Sequence, residues 1–138
     1  MRQVNILYVE DYDLVLFTVK QLLELEGWHV DVCREGSTAL QLFESEADYD
    51  LIVLDYELPG ARGLDLLRKA RSLPALHATP IIMFTASECE GEALEAGADA
   101  FLKKPGGIRE LIPTIELLLN GQRRTEEPVN HSTFKSLR

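Results

Sequence analysis

Leu51-Ile52-Val53-Leu54-Asp55 is an unbroken apolar run closed by an acid. Without polar alternation, such a run suits a strand covered on both faces, as at the centre of a parallel sheet. The same unit recurs on either side of it. Upstream, Val4-Asn5-Ile6-Leu7-Tyr8-Val9 reads as a first strand ending in Glu10-Asp11, and His29-Val30-Asp31-Val32-Cys33 reads as a second. Between them Leu14, Val15, Val19, Leu22, Leu23 and Leu25 form a helical stripe, with Asp13 as the expected N-cap and Gly27 as the stop. Ser37 is expected to open a second helix through Ala39, Leu40, Leu42 and Phe43.

Downstream, the loop Leu58-Pro59-Gly60-Ala61-Arg62-Gly63 leads into a helical stripe over Leu64, Leu66, Leu67 and Ala70. Pro80 to Thr85 is the fourth strand, Glu90 to Ala96 a short helix closed by Gly97, and Asp99 to Leu102 the fifth strand. The last helix is predicted from Ile108 to Leu119, with Pro113 expected to bend it or to mark a late start. Strands alternating with helices imply an α/β fold, a parallel sheet with right-handed crossovers and helices on both faces. In such sheets, sites form at the carboxyl ends of the strands, where the strand order reverses.

The chain has 138 residues, 46% of them hydrophobic and 27% charged, which suits one self-folding globular domain. Residues 1–120 are read as that domain, and 121–138, polar and without periodicity, as a flexible C-terminal tail or linker. A formal charge of -9 argues against general binding to nucleic acid or anionic membrane, and for a cation or a basic partner. Cys33 and Cys89 have no ligand spacing and read as reduced, partly buried thiols. His29, His77 and His131 share no ligand spacing either, and Met83 and Trp28 read as packing residues. No segment carries an export signal or a membrane span, so a cytoplasmic setting is expected.

Glu10, Asp11 and Asp55 fall just past strand ends, so adjacent first and third strands would crowd these carboxylates together. That is costly unless a hard cation neutralises them, and oxygen ligands with room for water suit Mg²⁺. Thr85 ends the fourth strand and Lys104 follows the fifth, adding a hydroxyl and an ammonium to the same edge. Phosphoryl transfer needs in-line positioning and charge neutralisation, which these groups can share while an Asp55 oxygen attacks.

In this order the residues resemble the response-regulator receiver family of two-component signalling, the chemotaxis-regulator-like domains. The motifs that carry the resemblance are Val9-Glu10-Asp11, Leu54-Asp55 with Pro59 and Gly63 beyond it, Phe84-Thr85-Ala86, Gly97-Ala98-Asp99-Ala100-Phe101 and Lys104-Pro105. Each is common alone, but five in register at strand ends are specific, and they run from about Val4 to Leu119. The resemblance implies a flavodoxin-like doubly wound (βα)5 fold with five parallel strands in order 2-1-3-4-5.

It further implies that Asp55 is the phosphoacceptor and that Mg²⁺ is held by Asp11, Asp55 and the main-chain carbonyl of Glu57. Glu10 would act through a water or by orienting the others. By the same resemblance Thr85 and Lys104 bind the phosphoryl oxygens, and Phe101 is the aromatic whose rotamer follows Thr85. The implied donor is a histidine kinase or a histidine phosphotransfer protein. The result would be a switch read by an unknown downstream protein, as a monomer or a phosphorylation-dependent dimer, and not a turnover enzyme.

Three departures stand out. Glu10 occupies a position where the family often has Asp, and Arg62 adds a positive charge in a loop position often acidic or amide. The stretch from Thr85 to Lys104 is about one helical turn (~3.6 residues) short, which implies a stunted fourth helix. Three other readings compete. One is a pseudo-receiver that binds protein without phosphorylation. A phosphatase with an Asp nucleophile would look for a second Asp where Glu57 stands. An FMN protein would be repelled by Glu10-Asp11-Tyr12-Asp13.

Overall fold

The computed structural model describes residues 2–45 and 48–123. Strands and helices alternate along the chain: β1 (Asn5–Val9), α1 (Asp13–Leu25), β2 (His29–Cys33), α2 (Gly36–Phe43), β3 (Leu51–Leu54), α3 (Gly63–Ser72), β4 (Ile81–Thr85), α4 (Glu90–Glu95), β5 (Ala100–Lys103) and α5 (Ile108–Arg123). The strands form one parallel sheet in the order β2-β1-β3-β4-β5, as expected. Every residue of β3 is fully buried, because neighbouring strands flank it and helices cover both its faces.

Successive strand residues point to opposite faces. Leu7, Val9, Ile52, Leu54, Ile81 and Met83 pack towards α2, α3 and α4, against Phe43, Leu66, Leu67 and Ala93. Ile6, Tyr8, Leu51, Val53, Ile82 and Phe84 pack towards α1 and α5, against Val19, Leu23, Leu111 and Ile115. The sheet thus separates two apolar cores.

Several boundaries differ from the sequence reading. Tyr12 occupies the N-cap position of α1 with an extended backbone and no side-chain cap, while Asp13 is the first helical residue. The Asp13 carboxylate accepts instead from Arg34 Nε at 2.7 Å. The buried face of α1 is Leu16, Val19 and Leu23, whereas Leu14 and Leu25 are 68% and 82% exposed. Docking on the sheet buries only part of the expected stripe and adds Leu16 to it, because α1 carries more apolar residues than one face can cover. Helix α2 begins at Gly36, with Glu35 in the N-cap position, one residue before Ser37. A Cβ on Gly36 would lie 2.4 Å from the Ala61 carbonyl oxygen, so the β3–α3 loop closes over this helix start.

Helix α5 starts at Ile108 and contains Pro113, so there is no late start, and it continues to Arg123, past the boundary expected at residue 120. The remainder of the expected tail, 124–138, lies outside the described residues, as does His131. Helix α4 has six residues, the short helix anticipated. Gly97, at φ +113°, ends it in a conformation that side chains resist. No helix among the described residues is long and apolar enough to cross a membrane.

Two local devices hold the sheet's surroundings. Arg71, at the end of α3, donates to the carbonyls of Gly97, Leu76, His77 and Thr79 and pairs with Asp99 at 2.8 Å. The same Asp99 oxygen accepts the Ile81 amide at 2.8 Å, which ties α3, the loop before β4 and the start of β5 together. Gly63, the first residue of α3, donates its amide to the Tyr56 carbonyl at 2.9 Å. A Cβ there would stand 2.1 Å from the Asp55 carbonyl oxygen, a distance that no side chain can tolerate.

Two stability outcomes follow from these contacts. Gly63→Ala should lower unfolding stability by about 1–3 kcal/mol through forced backbone displacement. Arg71→Ala should lower it by about 2–3 kcal/mol by stranding several acceptors. Urea denaturation of each variant against the unchanged chain checks both.

Candidate functional site

Strand pairing decides which side chains meet. Val9 lies beside Leu54 in the β1–β3 ladder, so the residues that follow each, Glu10 and Asp55, emerge together. Thr85 lies beside Lys103 in the β4–β5 ladder, and the Lys104 amide donates to the Thr85 carbonyl at 2.9 Å. The carboxyl edge of the sheet therefore gathers Glu10, Asp11, Asp55, Thr85 and Lys104 from four loops. Together with Glu57, Ser87, Ala86, Tyr12, Val15 and Pro105 they line a cleft of about 380 Å³. A larger groove of about 630 Å³, between Trp28 and the end of α5, lies at the opposite edge of the sheet and holds no comparable cluster.

Asp55 is 7% exposed, and its Oδ1 accepts the amides of Tyr56 at 2.7 Å and Glu57 at 3.4 Å. Its Oδ2 accepts from Lys104 Nζ at 3.1 Å. The same ammonium also donates to Glu10 Oε1, in a very short contact. Glu10 is 1% exposed and takes further donors from the Tyr8 hydroxyl at 3.3 Å and the Tyr12 amide at 3.1 Å. Lys104 Nζ stands 5.3 Å from the centre of the Phe84 ring, whose face is electron-rich. The Lys104–Pro105 peptide bond is cis.

Burial pushes the Glu10 carboxyl above its ordinary range, and the Asp55 charge adds to that, while Lys104 and the Tyr12 amide oppose it. Burial likewise pushes the Tyr8 phenol far up, reinforced by Glu10. The Cys89 thiol, buried at the start of α4, is pushed up to about 11 by desolvation and then by Glu92, Asp55 and Glu57. It is therefore a thiol at neutral pH. Cys33 is also buried and unpaired.

One carboxylate oxygen from each of Glu10, Asp11 and Asp55 can be chosen so that all three lie within 4.8 Å of one another. Asp11 is exposed and faces the cleft. Hard oxygen donors open to water on one side form a set that fits a small divalent cation. The Thr85 hydroxyl oxygen accepts the Ser87 amide at 3.2 Å, and the Ser87 hydroxyl reaches Glu57 Oε1 at 3.5 Å. Arg62 pairs with Asp65 at 3.4 Å and is not among the cleft residues.

Of the expected site residues, the fold brings Asp55, Asp11, Glu10, Glu57, Thr85 and Lys104 into one cleft. Phe101 is not among them: it is 3% exposed, in the core beneath α3 and α4, beside Met83 of the next strand. Lys103, the neighbouring lysine, turns outward and pairs with Glu88. The sequence reading passed over Tyr8 and Phe84, which touch Glu10 and Lys104 from below. The period of two along β1, which puts Tyr8 and Glu10 on one face, was the signal that could have found Tyr8.

A profile of the response regulator receiver domain matches residues 6–116. The transcriptional regulatory protein CpxR of Escherichia coli (strain K12) is 37% identical over 130 residues, covering 92% of this chain and 54% of that protein. The regulatory protein VanRB of Enterococcus faecalis is 40% identical over 119 residues, covering 84% and 52%. The chain thus spans about half the length of these relatives.

Among solved structures, a CheY-like response regulator receiver domain protein from Methanospirillum hungatei superposes with a TM-score of 0.82 at 33% identity, covering 90% of this chain and 99% of that one. The receiver domain of sensor histidine kinase PA1611 from Pseudomonas aeruginosa, described with a magnesium ion coordinated in its active site cleft, gives 0.78 at 27%, covering 86% and 99%. Fold, strand order and the matched length agree, and the chain belongs to the response regulator receiver domain family.

Proposed function

We propose that this chain accepts a phosphoryl group on Asp55 from the phosphohistidine of a histidine kinase or histidine phosphotransfer protein, and that the modification switches a protein-interaction surface. The observation that carries the reading is the Lys104 ammonium bridging Asp55 and Glu10, with Thr85 on the neighbouring strand. In the reaction an Asp55 oxygen attacks phosphorus and a P–O bond forms. The P–N bond breaks, and its electron pair goes to the donor imidazole nitrogen.

The Tyr56 and Glu57 amides on Oδ1 hold the Asp55 carboxylate in one orientation. Lys104 neutralises charge on the transferred oxygens, and the Thr85 hydroxyl donates to them. Mg²⁺ would be held by Asp11, Asp55 and the Glu57 carbonyl, with Glu10 orienting that shell, and when bound supplies charge neutralisation to the phosphoryl oxygens. The phosphoryl group ends on the chain's own Asp55, so the chain works as a switch and not as a turnover enzyme.

The switch follows from charge. Phosphorylated Asp55 adds negative charge and draws Thr85 inward, and Phe101, in the same core as Met83, repacks in response. The surface read by the downstream protein would include the six-residue α4, whose shortness sets it apart from the family's usual form. The receiver would extend through the end of α5 at Arg123, a little beyond the boundary expected at residue 120, with the residues after it a tail or linker. We place the protein in the cytoplasm, as a monomer or a phosphorylation-dependent dimer, with no direct nucleic-acid contact by the receiver.

Incubation with acetyl phosphate and Mg²⁺, followed by intact-protein mass spectrometry, should show the gain of one phosphoryl group. Asp55→Ala should abolish it, and omission of Mg²⁺ should nearly do so. Lys104→Ala should slow it by about 100-fold, the scale for removing one charge-stabilising donor. No Asp55-dependent gain would leave the chain as a non-phosphorylated binding module.

A further inference from the structure

Resting on the reading of Asp55 as phosphoacceptor, we infer that Tyr8 is a positioning residue for that reaction, its hydroxyl holding Glu10 in place while Lys104 turns to the phosphoryl group. Tyr8 is fully buried on β1, in the core shared with Phe84 on the α1 and α5 face of the sheet. Its ring cannot move without disturbing that packing, so its hydroxyl is a fixed point under the site. It donates to Glu10 Oε1 at 3.3 Å, the oxygen that also accepts from Lys104.

That shared oxygen is the crux. Lys104 divides its ammonium between Glu10 and Asp55, and to serve an incoming phosphoryl group it has to loosen its hold on Glu10. Glu10 is 1% exposed with Lys104 in place, so the oxygen that the ammonium gives up loses its charged donor and needs another to hold it in position. The Tyr8 hydroxyl keeps a donor on Oε1 throughout, and the Tyr12 amide keeps one on Oε2 at 3.1 Å. Lys104 can then leave without stranding its partner.

The contact also depends on which acid stands at position 10. Glu10 has the reach to fold back towards Tyr8, and an aspartate, one methylene shorter, would fall short of a hydroxyl already at 3.3 Å. Tyr8 and Glu10 therefore act as a pair, two residues apart, Tyr8 on β1 and Glu10 just past its end. The pair gives a function to the departure from the family's more usual acid.

The test is a double-mutant cycle on the full chain. Rate constants for phosphorylation by acetyl phosphate at saturating Mg²⁺ are measured for the unchanged chain, Tyr8→Phe, Glu10→Asp and the double variant. Phenylalanine keeps the ring and removes only the hydroxyl. Tyr8→Phe should slow the reaction by about tenfold with Glu10 present, the low end for a hydrogen bond to a charged group. In the Glu10→Asp background it should change the rate by less than about twofold.

A Tyr8→Phe rate equal to that of the unchanged chain would overturn the inference. So would the same fold-loss in both backgrounds, which would mean that the hydroxyl matters to packing and not to Glu10. If the unchanged chain itself gains no phosphoryl group, the phosphoacceptor reading fails, and the role of Tyr8 falls with it.

Discussion

The Lys104 ammonium sits between Glu10 and Asp55, two carboxylates almost cut off from water, and the carboxyl edge of the sheet is organised around that contact. At an effective dielectric of ~20, a pair 3.1 Å apart attracts by about 5 kcal/mol. Desolvating each ion costs several kcal/mol, so the cluster balances only if every lone pair finds a donor. The Tyr8 hydroxyl and the Tyr12, Tyr56 and Glu57 amides supply those donors. One cation facing two buried acids, with Asp11 beside them in water, leaves negative charge in excess. This excess suits the edge to a divalent cation.

Holding that balance takes a rigid frame, and the frame is built mostly without polar chemistry. Two apolar cores clamp the sheet from either face, so the register that sets Glu10 beside Asp55 is fixed by buried Ile, Leu and Val side chains. The polar contacts that matter to the frame are few and placed where strands begin or helices turn. Arg71 gathers the amino edge of β4 and β5 through Asp99 and four carbonyls. Gly63 lets α3 press on the backbone of Asp55, so any strain at the start of that helix reaches the site directly.

Much of this was legible in the chain. The apolar run at Leu51 to Leu54, the acids that follow β1 and β3, Thr85 and Lys104 identified a parallel sheet and its working edge, because side-chain period and strand ends are local properties. Other features misled for equally physical reasons. Leu14 and Leu25 belong to an apolar stripe in sequence, yet they face solvent, since α1 carries more apolar residues than one face can bury. Asp13 has the chemistry of an N-cap but lies one residue inside the helix, paired with Arg34. Arg71 drew no notice, because its acceptors are backbone carbonyls that any sequence would offer.

The sequence by itself determined the order of elements, the alternation that buries both faces of β3, and the chemical types collected at the strand ends. Only the tertiary structure decided which oxygen of Glu10 meets Lys104, that Tyr8 donates to that same oxygen, and that Phe101 lies in the core outside the cleft. The physical reason is range. Period and propensity act over a few residues, whereas the contact between Lys104 and Glu10 joins residues 94 positions apart. Such a contact exists only once five strands have locked in register.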